Sequence, residues 1–301
     1  MTNSTLQVAV MGAGAVGCYF GGMLARSGHD VTLIARPQHV EAIGRDGLHM
    51  DTQTFDERVR LKASSDPAAV KDAQLVLFCV KSGDTERAGD QIKPYVDRHA
   101  VVLCLQIGCD NDQRLRAVLS RPEVAAAVVF VGCEMVGPGY VKHHGSGELV
   151  IDPIRNLPGL ERIFEAASIP TRVSDNVRGQ LWLKLILNCA YNAISAIGRK
   201  PYGQIVPALG VQEVMRDVVN ECLAVATAEG INVPGDVDAA VRRIVETIPQ
   251  QYSSTAQDIV RGKPSEIDYL NGHIVRRGAA LGIKTPANQV LWAMVKLIEA
   301  S

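Results

Sequence analysis

The sequence lacks a long apolar run, a cysteine motif and any excess of positive charge, and each absence removes a class of function. No apolar run in the 301 residues approaches the roughly 20 that a membrane span requires. The opening, MTNSTLQVAVMG, has no basic segment followed by an apolar one, so no leader is expected and the protein is expected to be cytoplasmic. The seven cysteines include no CxxC pair, and Cys79, Cys104 and Cys189 sit inside apolar runs, where the thiol acts as a small core group in a reducing compartment. Lysine and arginine total 31 against 32 acidic residues, a formal charge of -1 that offers no basic surface to nucleic acid. Low-complexity segments and internal repeats are missing too. His143 and His144 are adjacent, so in a strand they point to opposite faces, and no third ligand follows at ligating spacing; no metal site is expected. The segment around them, GPGYVKHHGSGELVIDP, reads as a hairpin of two short runs closing the first domain.

What is present is enough apolar residue, 47% against 21% charged, to bury a large core over a length that suits two domains. The run LQVAVM is followed by GAGAVG, a helical stretch to Ser27, a glycine stop at Gly28 and a second run, VTLIA. This order is strand, tight turn, helix, strand, and it gives GxGxxG its meaning. Gly12 makes the turn, Gly14 lets phosphates approach the backbone, and Gly17 packs helix on strand. The N–H groups of Ala13, Ala15 and Val16 lie with them at the positive helix end. An NAD site usually presents an acid after the second strand; here VTLIAR ends in Arg36, whose guanidinium suits a 2′-phosphate, so NADP (as NADPH) is the expected cofactor. Further runs, QLVLFCV, AVVLCLQI and VAAAVVFVG, alternate with helix-compatible segments and predict a Rossmann-type doubly wound α/β domain. Lys81 and the segment Gln106 to Asn111 fall at strand ends, where its ligands should collect.

After about residue 175 the strand pattern stops. VRGQLWLKLILNCAYNAISAIG, VQEVMRDVVNECLAVATAEG, DVDAAVRRIVETIPQ, SEIDYLNGHIVRRGAALG and NQVLWAMVKLIEA all carry helical spacing between glycine or proline stops. The expected division is 1–175, an NADP-binding Rossmann-type domain, and 176–301, an all-helical substrate and catalytic domain. On the first helix Lys184, Asn188 and Asn192 follow at intervals of four, a slightly slanted stripe on a surface otherwise made of Leu183, Leu185, Ile186, Leu187, Ala190 and Ile194. Burying a lysine without a partner is costly. The stripe therefore faces either a carboxylate such as Glu266 or a polar, ligand-filled cleft.

These motifs, with SSTAQDIVRGKPSEIDYLNGHIVRRGAALGIKTP near the end, resemble the ketopantoate reductase family along nearly the whole chain. The resemblance implies that Lys184 is the catalytic lysine and that Asn188 and Asn192 bind substrate. Ser254 would hold the substrate carboxylate, with Ser253 its rival on sequence grounds, and Glu266 would lie beside substrate and nicotinamide. It also implies reduction of a small 2-oxo acid, 2-dehydropantoate (ketopantoate) to pantoate in pantothenate biosynthesis.

One stretch departs from the family pattern. Where the family reads like QNGLGN, this chain has QIGCDN, with Ile107 in place of the asparagine and Asp110 in place of the second glycine. A branched or aromatic 2-oxo acid, or an imine, is therefore an alternative substrate. A non-catalytic dinucleotide sensor is a second alternative, although a sensor has no need of a proton donor. No membrane or nucleic-acid partner is expected, and an apolar helix can face its own domain or a second subunit, so a homodimer is admitted.

Overall fold

The computed structural model describes residues 5–120 and 122–300. The chain folds into two compact units: residues 1–106 with 110–177, and residues 178–301 with the short excursion 107–109.

In the first unit the strands are β1 (Gln7–Met11), β2 (Asp30–Ile34), β3 (Leu48–Asp51), β4 (Asp56–Val59), β5 (Lys62–Ser64), β6 (Leu75–Phe78), β7 (Val101–Cys104), β8 (Glu123–Gly137), β9 (Tyr140–Ile151) and β10 (Thr171–Val173). The helices between them are α1 (Ala15–Arg26), α2 (Pro37–Asp46), α3 (Thr85–Ile92), α4 (Asn111–Val118) and α5 (Leu160–Ala166). The sheet runs β4-β3-β9-β8-β7-β6-β1-β2-β5, with β10 added beside β9. Its portion β5-β2-β1-β6-β7-β8 is wholly parallel. Read outward from β1, the chain fills one side through β2 and β5, then returns to fill the other through β6, β7 and β8. That reversal beside β1 is the topological switch point at which doubly wound sheets bind ligands.

Period-2 alternation explains why these runs are strands buried on both faces. Val8, Val10, Leu33, Leu75, Leu77, Val101 and Leu103 enter one core together with Phe20 and Leu24 of α1. Ala9, Met11, Ile34, Val76, Phe78, Val102 and Cys104 enter the other with Ala88 and Ile92 of α3 and Leu115 of α4. A one-residue slip would exchange the two faces of any strand, which pins the register.

The hairpin differs from its sequence reading. Its turn lies at Pro138 and Gly139, and the two runs expected to pair with each other form one strand, β9, antiparallel to β8. The interval Gly145–Gly147 is an irregularity within that strand rather than a turn, with φ of +142°, +58° and +139°. The hairpin does not close the unit either, since α5 and β10 follow it. His143 stacks on Tyr19 at 4.4 Å and its Nε2 lies 2.6 Å from the Ser146 carbonyl, while His144 pairs with Glu134 at 2.9 Å. Residues 37–64, silent in the periodicity reading, supply α2 and three short strands, β3, β4 and β5.

The second unit contains no strand among the described residues. Its helices are α6 (Val177–Gly198), α7 (Tyr202–Ile205), α8 (Val211–Ala228), α9 (Val237–Thr247), α10 (Ser254–Val260), α11 (Asn271–Leu281) and α12 (Pro286–Glu299). SEIDYLNGHIVRRGAALG is not one helix: a 3-10 turn at Ile267–Tyr269 is broken from α11 at Leu270, whose φ and ψ are -111° and -108°. α6 is, by length and composition alone, long and apolar enough to cross a membrane. Folding uses that apolarity internally, because Trp182, Leu185, Ile186, Cys189, Ala190, Tyr191 and Ala193 are all buried. Asn271 on α11 ties α6 to α12, donating to the Cys189 carbonyl at 3.2 Å and to Asn288 Oδ1 at 3.0 Å. Glu221 on α8 caps α12, accepting the Ala287 and Asn288 N–H groups at 2.8 and 2.9 Å. The cysteines are free thiols; Cys104 and Cys189 are buried and Cys79 is half-buried.

Candidate active site

The first candidate region is the turn after β1. Gly12 has φ +97°, and a Cβ there would lie 2.8 Å from the Val80 nitrogen, so only glycine fits. The Gly12 and Ala13 N–H groups both donate to the Ile34 carbonyl, at 3.3 and 3.1 Å, fastening the turn to the end of β2. A Cβ on Gly17 would come within 2.4 Å of the Gly12 carbonyl oxygen and 2.9 Å of Val10, so α1 packs against β1 at van der Waals limit. Gly14 differs: a Cβ there meets nothing within 4 Å. The first helical bond is Cys18 N–H to the Gly14 carbonyl at 2.8 Å, which leaves the N–H groups of Ala15, Val16 and Gly17 without intrahelical acceptors. An open glycine, free N–H groups and no acidic residue in the first turn suit an anionic group.

Register carries neighbouring side chains to the same edge. Met11 pairs with Ile34 and with Phe78, so the chain beyond β1, β2 and β6 emerges side by side. Arg36 stands two residues past β2, exposed, at the N-cap of α2, with its carbonyl accepting from His39 and Val40. Lys81 is exposed at the N-cap of the 3-10 turn Ser82–Asp84. The ends of the candidate segment after β7 face inward: Gln106 Nε2 donates to Thr85 Oγ1 at 2.8 Å, Asn111 Nδ2 to Ser82 Oγ at 3.3 Å, and Arg114 to Asn111 Oδ1 at 3.2 Å. These side chains secure α3 and α4 to the sheet. The same Arg114 guanidinium holds the Glu86 carboxyl below the usual carboxylate range through a bidentate pair.

The middle of that segment belongs to the helical unit. Gly108 has φ +103°, Arg178 Nη1 donates to the Cys109 carbonyl at 2.7 Å, and Cys109 Sγ lies 3.4 Å from His273 Nε2. His273 in turn meets Trp182 edge-on at 6.0 Å. Ile107 is half-buried beside this anchored residue.

The second candidate region is α6. Its stripe grades from accessible to enclosed: Lys184 and Asn188 are half-buried, and Asn192 is 2% exposed. Asn192 Nδ2 lies 3.4 Å from Ser254 Oγ, and the Tyr202 hydroxyl lies 3.4 Å from Asn192 Oδ1. The structure separates the two serines. Ser253 is fully buried as the N-cap of α10, its Oγ accepting from Ala256 N–H and donating to the Asn192 carbonyl, both at 3.0 Å. Ser254 is exposed in the first turn of α10. Glu266 is half-buried at the N-cap of the 3-10 turn before α11, and neither it nor Lys184 is without an interaction partner. Thus the residues Lys184, Asn188, Asn192, Ser254 and Glu266 all lie in the helical unit, and the glycine turn, Arg36 and Lys81 all lie in the other. Tyr202 was not visible to sequence reasoning, because it follows Asn192 by ten residues across a helix break and no periodicity links them.

Two family models cover almost all of this architecture: Ketopantoate reductase PanE/ApbA matches residues 8–156, and Ketopantoate reductase PanE/ApbA C terminal matches residues 176–299. The chain belongs to the ketopantoate reductase family. A 2-dehydropantoate 2-reductase of Pyrococcus horikoshii is 33% identical over 98% of both chains. Among solved structures, a PanE/ApbA family ketopantoate reductase from Ralstonia eutropha JMP134 is 62% identical, with TM-score 0.96 over 98% of this chain and 99% of that one. A D-mandelate dehydrogenase, solved with NADH and anilino(oxo)acetate, is 26% identical with TM-score 0.89 over 98% of this chain and 99% of its own. Ketopantoate reductases are oxidoreductases, and the Rossmann-type unit followed by a helical unit is their architecture.

Proposed function

We propose that this protein reduces a 2-oxo acid to the 2-hydroxy acid with NADPH, ketopantoate to pantoate being the reaction, in the cytoplasm. The observation that carries the reading is the polar stripe of α6, which leads from half-open Lys184 to enclosed Asn192 and meets exposed Ser254 on a mostly buried apolar helix. The open Gly14, the free N–H groups of Ala15 to Gly17 and exposed Arg36 fit a dinucleotide bearing a 2′-phosphate, and Lys81 is a further cation for its phosphates. A dinucleotide bound there would supply hydride chemistry for a ketone carbon. Lys184 holds the proton that the ketone oxygen receives, and its positive charge opposes the negative charge developing there. Asn188 and Asn192 orient the carbonyl and hydroxyl groups, Ser254 receives the carboxylate, and Glu266 would lie beside the substrate and a bound nicotinamide. On this reading residues 1–175 hold the cofactor and 176–301 the substrate.

A second reading, a bulkier apolar or aromatic 2-oxo acid, is favoured by Ile107, whose aliphatic side chain replaces a polar amide. The D-mandelate dehydrogenase relative, solved with an aromatic 2-oxo acid analogue and NADH, supports it. Initial rates with NADPH and NADH against ketopantoate, 2-oxoisovalerate and benzoylformate separate the two. Preference for ketopantoate with NADPH is the expected result. Preference for benzoylformate would move the chain to the second reading, and no oxidation of either cofactor with any 2-oxo acid would remove both.

A further inference from the structure

We infer that Tyr202 is a positioning residue that sets the hydrogen-bond polarity of the carboxylate end of the substrate site, an inference that rests on Ser254 receiving the carboxylate. The amide of Asn192 has a polar neighbour on each side, the Tyr202 hydroxyl and Ser254 Oγ, each at 3.4 Å. Both distances are long for hydrogen bonds, as polar contacts in enzyme sites often are before substrate tightens them. A terminal amide fits the same space with its oxygen and nitrogen exchanged, so its neighbours decide which way it faces.

Tyr202 decides it. Its ring is buried and meets Tyr191 edge-on at 4.8 Å, and the hydrogen bond made by its hydroxyl among the described residues is the one to Asn192. A buried phenol hydrogen without an acceptor is costly, so the phenol donates and draws Oδ1 toward itself. Burial raises the phenol's pKa far above its ordinary value, so the donor is present at every working pH. With Oδ1 committed to Tyr202, Nδ2 faces Ser254 and donates to Oγ. The hydroxyl hydrogen of Ser254 is thereby directed away from Asn192, from a residue that is itself exposed. A carboxylate accepts and never donates, so it requires that hydrogen. The opposite amide orientation would draw the Ser254 hydrogen back to Oδ1 and present lone pairs to an anion.

Ser253 keeps the relay assembled. Its Oγ bridges the Asn192 carbonyl and the Ala256 N–H, and its own N–H donates to Ser195 Oγ at 3.3 Å, so the start of α10 is fastened to α6. Tyr202 thus acts on the carboxylate through two intervening residues without touching it.

Tyr202→Phe removes the donor and retains the ring against Tyr191. Steady-state rates with NADPH are measured on ketopantoate and on its neutral methyl ester. The expected result is a KM for the acid raised roughly tenfold, the range of one hydrogen bond to a charged group, with kcat and the KM for NADPH within about twofold of wild type. The ester should change little, so the acid-over-ester preference in kcat/KM falls by the same factor. A purely structural role would depress both substrates alike and lower the melting temperature. Tyr202→Met likewise removes the phenol donor while keeping an apolar side chain against Tyr191, and the same acid-over-ester comparison on it decides the question if Tyr202→Phe does not fold. An unchanged acid-over-ester ratio in Tyr202→Phe overturns the inference and leaves the functional reading standing. A wild-type protein that reduces no 2-oxo acid overturns both.

Discussion

The two candidate regions are built from different materials. Around the glycine turn the determinants are backbone: a positive φ at Gly12, a Cβ clash at Gly17, unsatisfied N–H groups at the start of α1. In the helical unit they are side chains drawn from α6, α7, α10 and the turn before α11, separated by as much as 82 residues. A site made of backbone tolerates almost any change that preserves conformation and almost none that does not. A site made of side chains should lose function group by group while the fold survives. Substitutions on each side can break that contrast.

The largest expected effect is at Lys184. Positioned proton transfer contributes about 10²–10⁴-fold to a rate, so Lys184→Ala should lose that much turnover. Alanine is a good helix former and Lys184 is only half-buried, so the melting temperature and NADPH affinity should stay close to wild type. Turnover, thermal melting and NADPH binding measured on one preparation check this. A sharp drop in melting temperature would show instead that Lys184 is a structural partner of a carboxylate, and the contrast would fail on its helical side.

The glycine turn should respond in two opposite ways. Gly17→Ala places a methyl group 2.4 Å from the Gly12 oxygen, and the strain should appear as a lower melting temperature by several degrees, of the order of 1–3 kcal/mol. Gly14→Ala meets open space within the protein, so stability should be unchanged or slightly raised while NADPH affinity falls by roughly tenfold or more, because the added methyl occupies the approach of the phosphates. Equal NADPH affinity in Gly14→Ala and wild type would place the pyrophosphate elsewhere.

The same division explains what sequence reveals. GAGAVG between a strand and a helix is a local pattern, so each glycine's task was legible and the structure supports it at Gly12 and Gly17 atom by atom. The i, i+4 stripe of Lys184, Asn188 and Asn192 was legible for the same reason. The difference between Ser254 and Ser253 was not, since the two are adjacent and identical; that Ser253 is a buried helix cap while Ser254 is exposed is tertiary information. Strands β3, β4 and β5 escaped because three or four residues are too few for a periodicity to register, even in β3, where buried Leu48 and Met50 alternate with half-buried His49 and Asp51. The excursion 107–109 escaped because chain continuity with β7 hides the fact that Cys109 is held by Arg178 and His273 of the helical unit.

Arg36 offers a smaller effect that tests side-chain recognition on the nucleotide side. Its guanidinium is exposed and its structural duty, accepting at the backbone carbonyl, does not involve the side chain. Arg36→Ala should therefore raise the KM for NADPH severalfold, leave that for NADH almost unchanged and not alter melting. Equal losses with both cofactors would assign Arg36 to the shared part of the dinucleotide.

The smallest effect, and the one that joins the two regions in sequence, is expected at Ile107. The residue leaves β7 with the nucleotide unit's backbone but is grouped with the helical unit, because Cys109 two residues later is fixed through its carbonyl and its thiol. Ile107→Asn changes neither anchor, and a half-buried position admits an amide without stranding it from water. If the side chain at 107 faces substrate, restoring an amide contributes about 1 kcal/mol toward a hydroxylated 2-oxo acid and nothing toward an aromatic one, a shift of roughly fivefold in the ratio of kcat/KM for ketopantoate over benzoylformate. Breaking the anchor should have the reverse signature: His273→Phe keeps a ring against Trp182 but removes the nitrogen that meets Cys109, so it should alter both substrates together by loosening the excursion. An Ile107→Asn protein with an unchanged ratio and a His273→Phe protein with unchanged kinetics would together show that this excursion belongs to the fold of the helical unit and has no part in choosing the substrate.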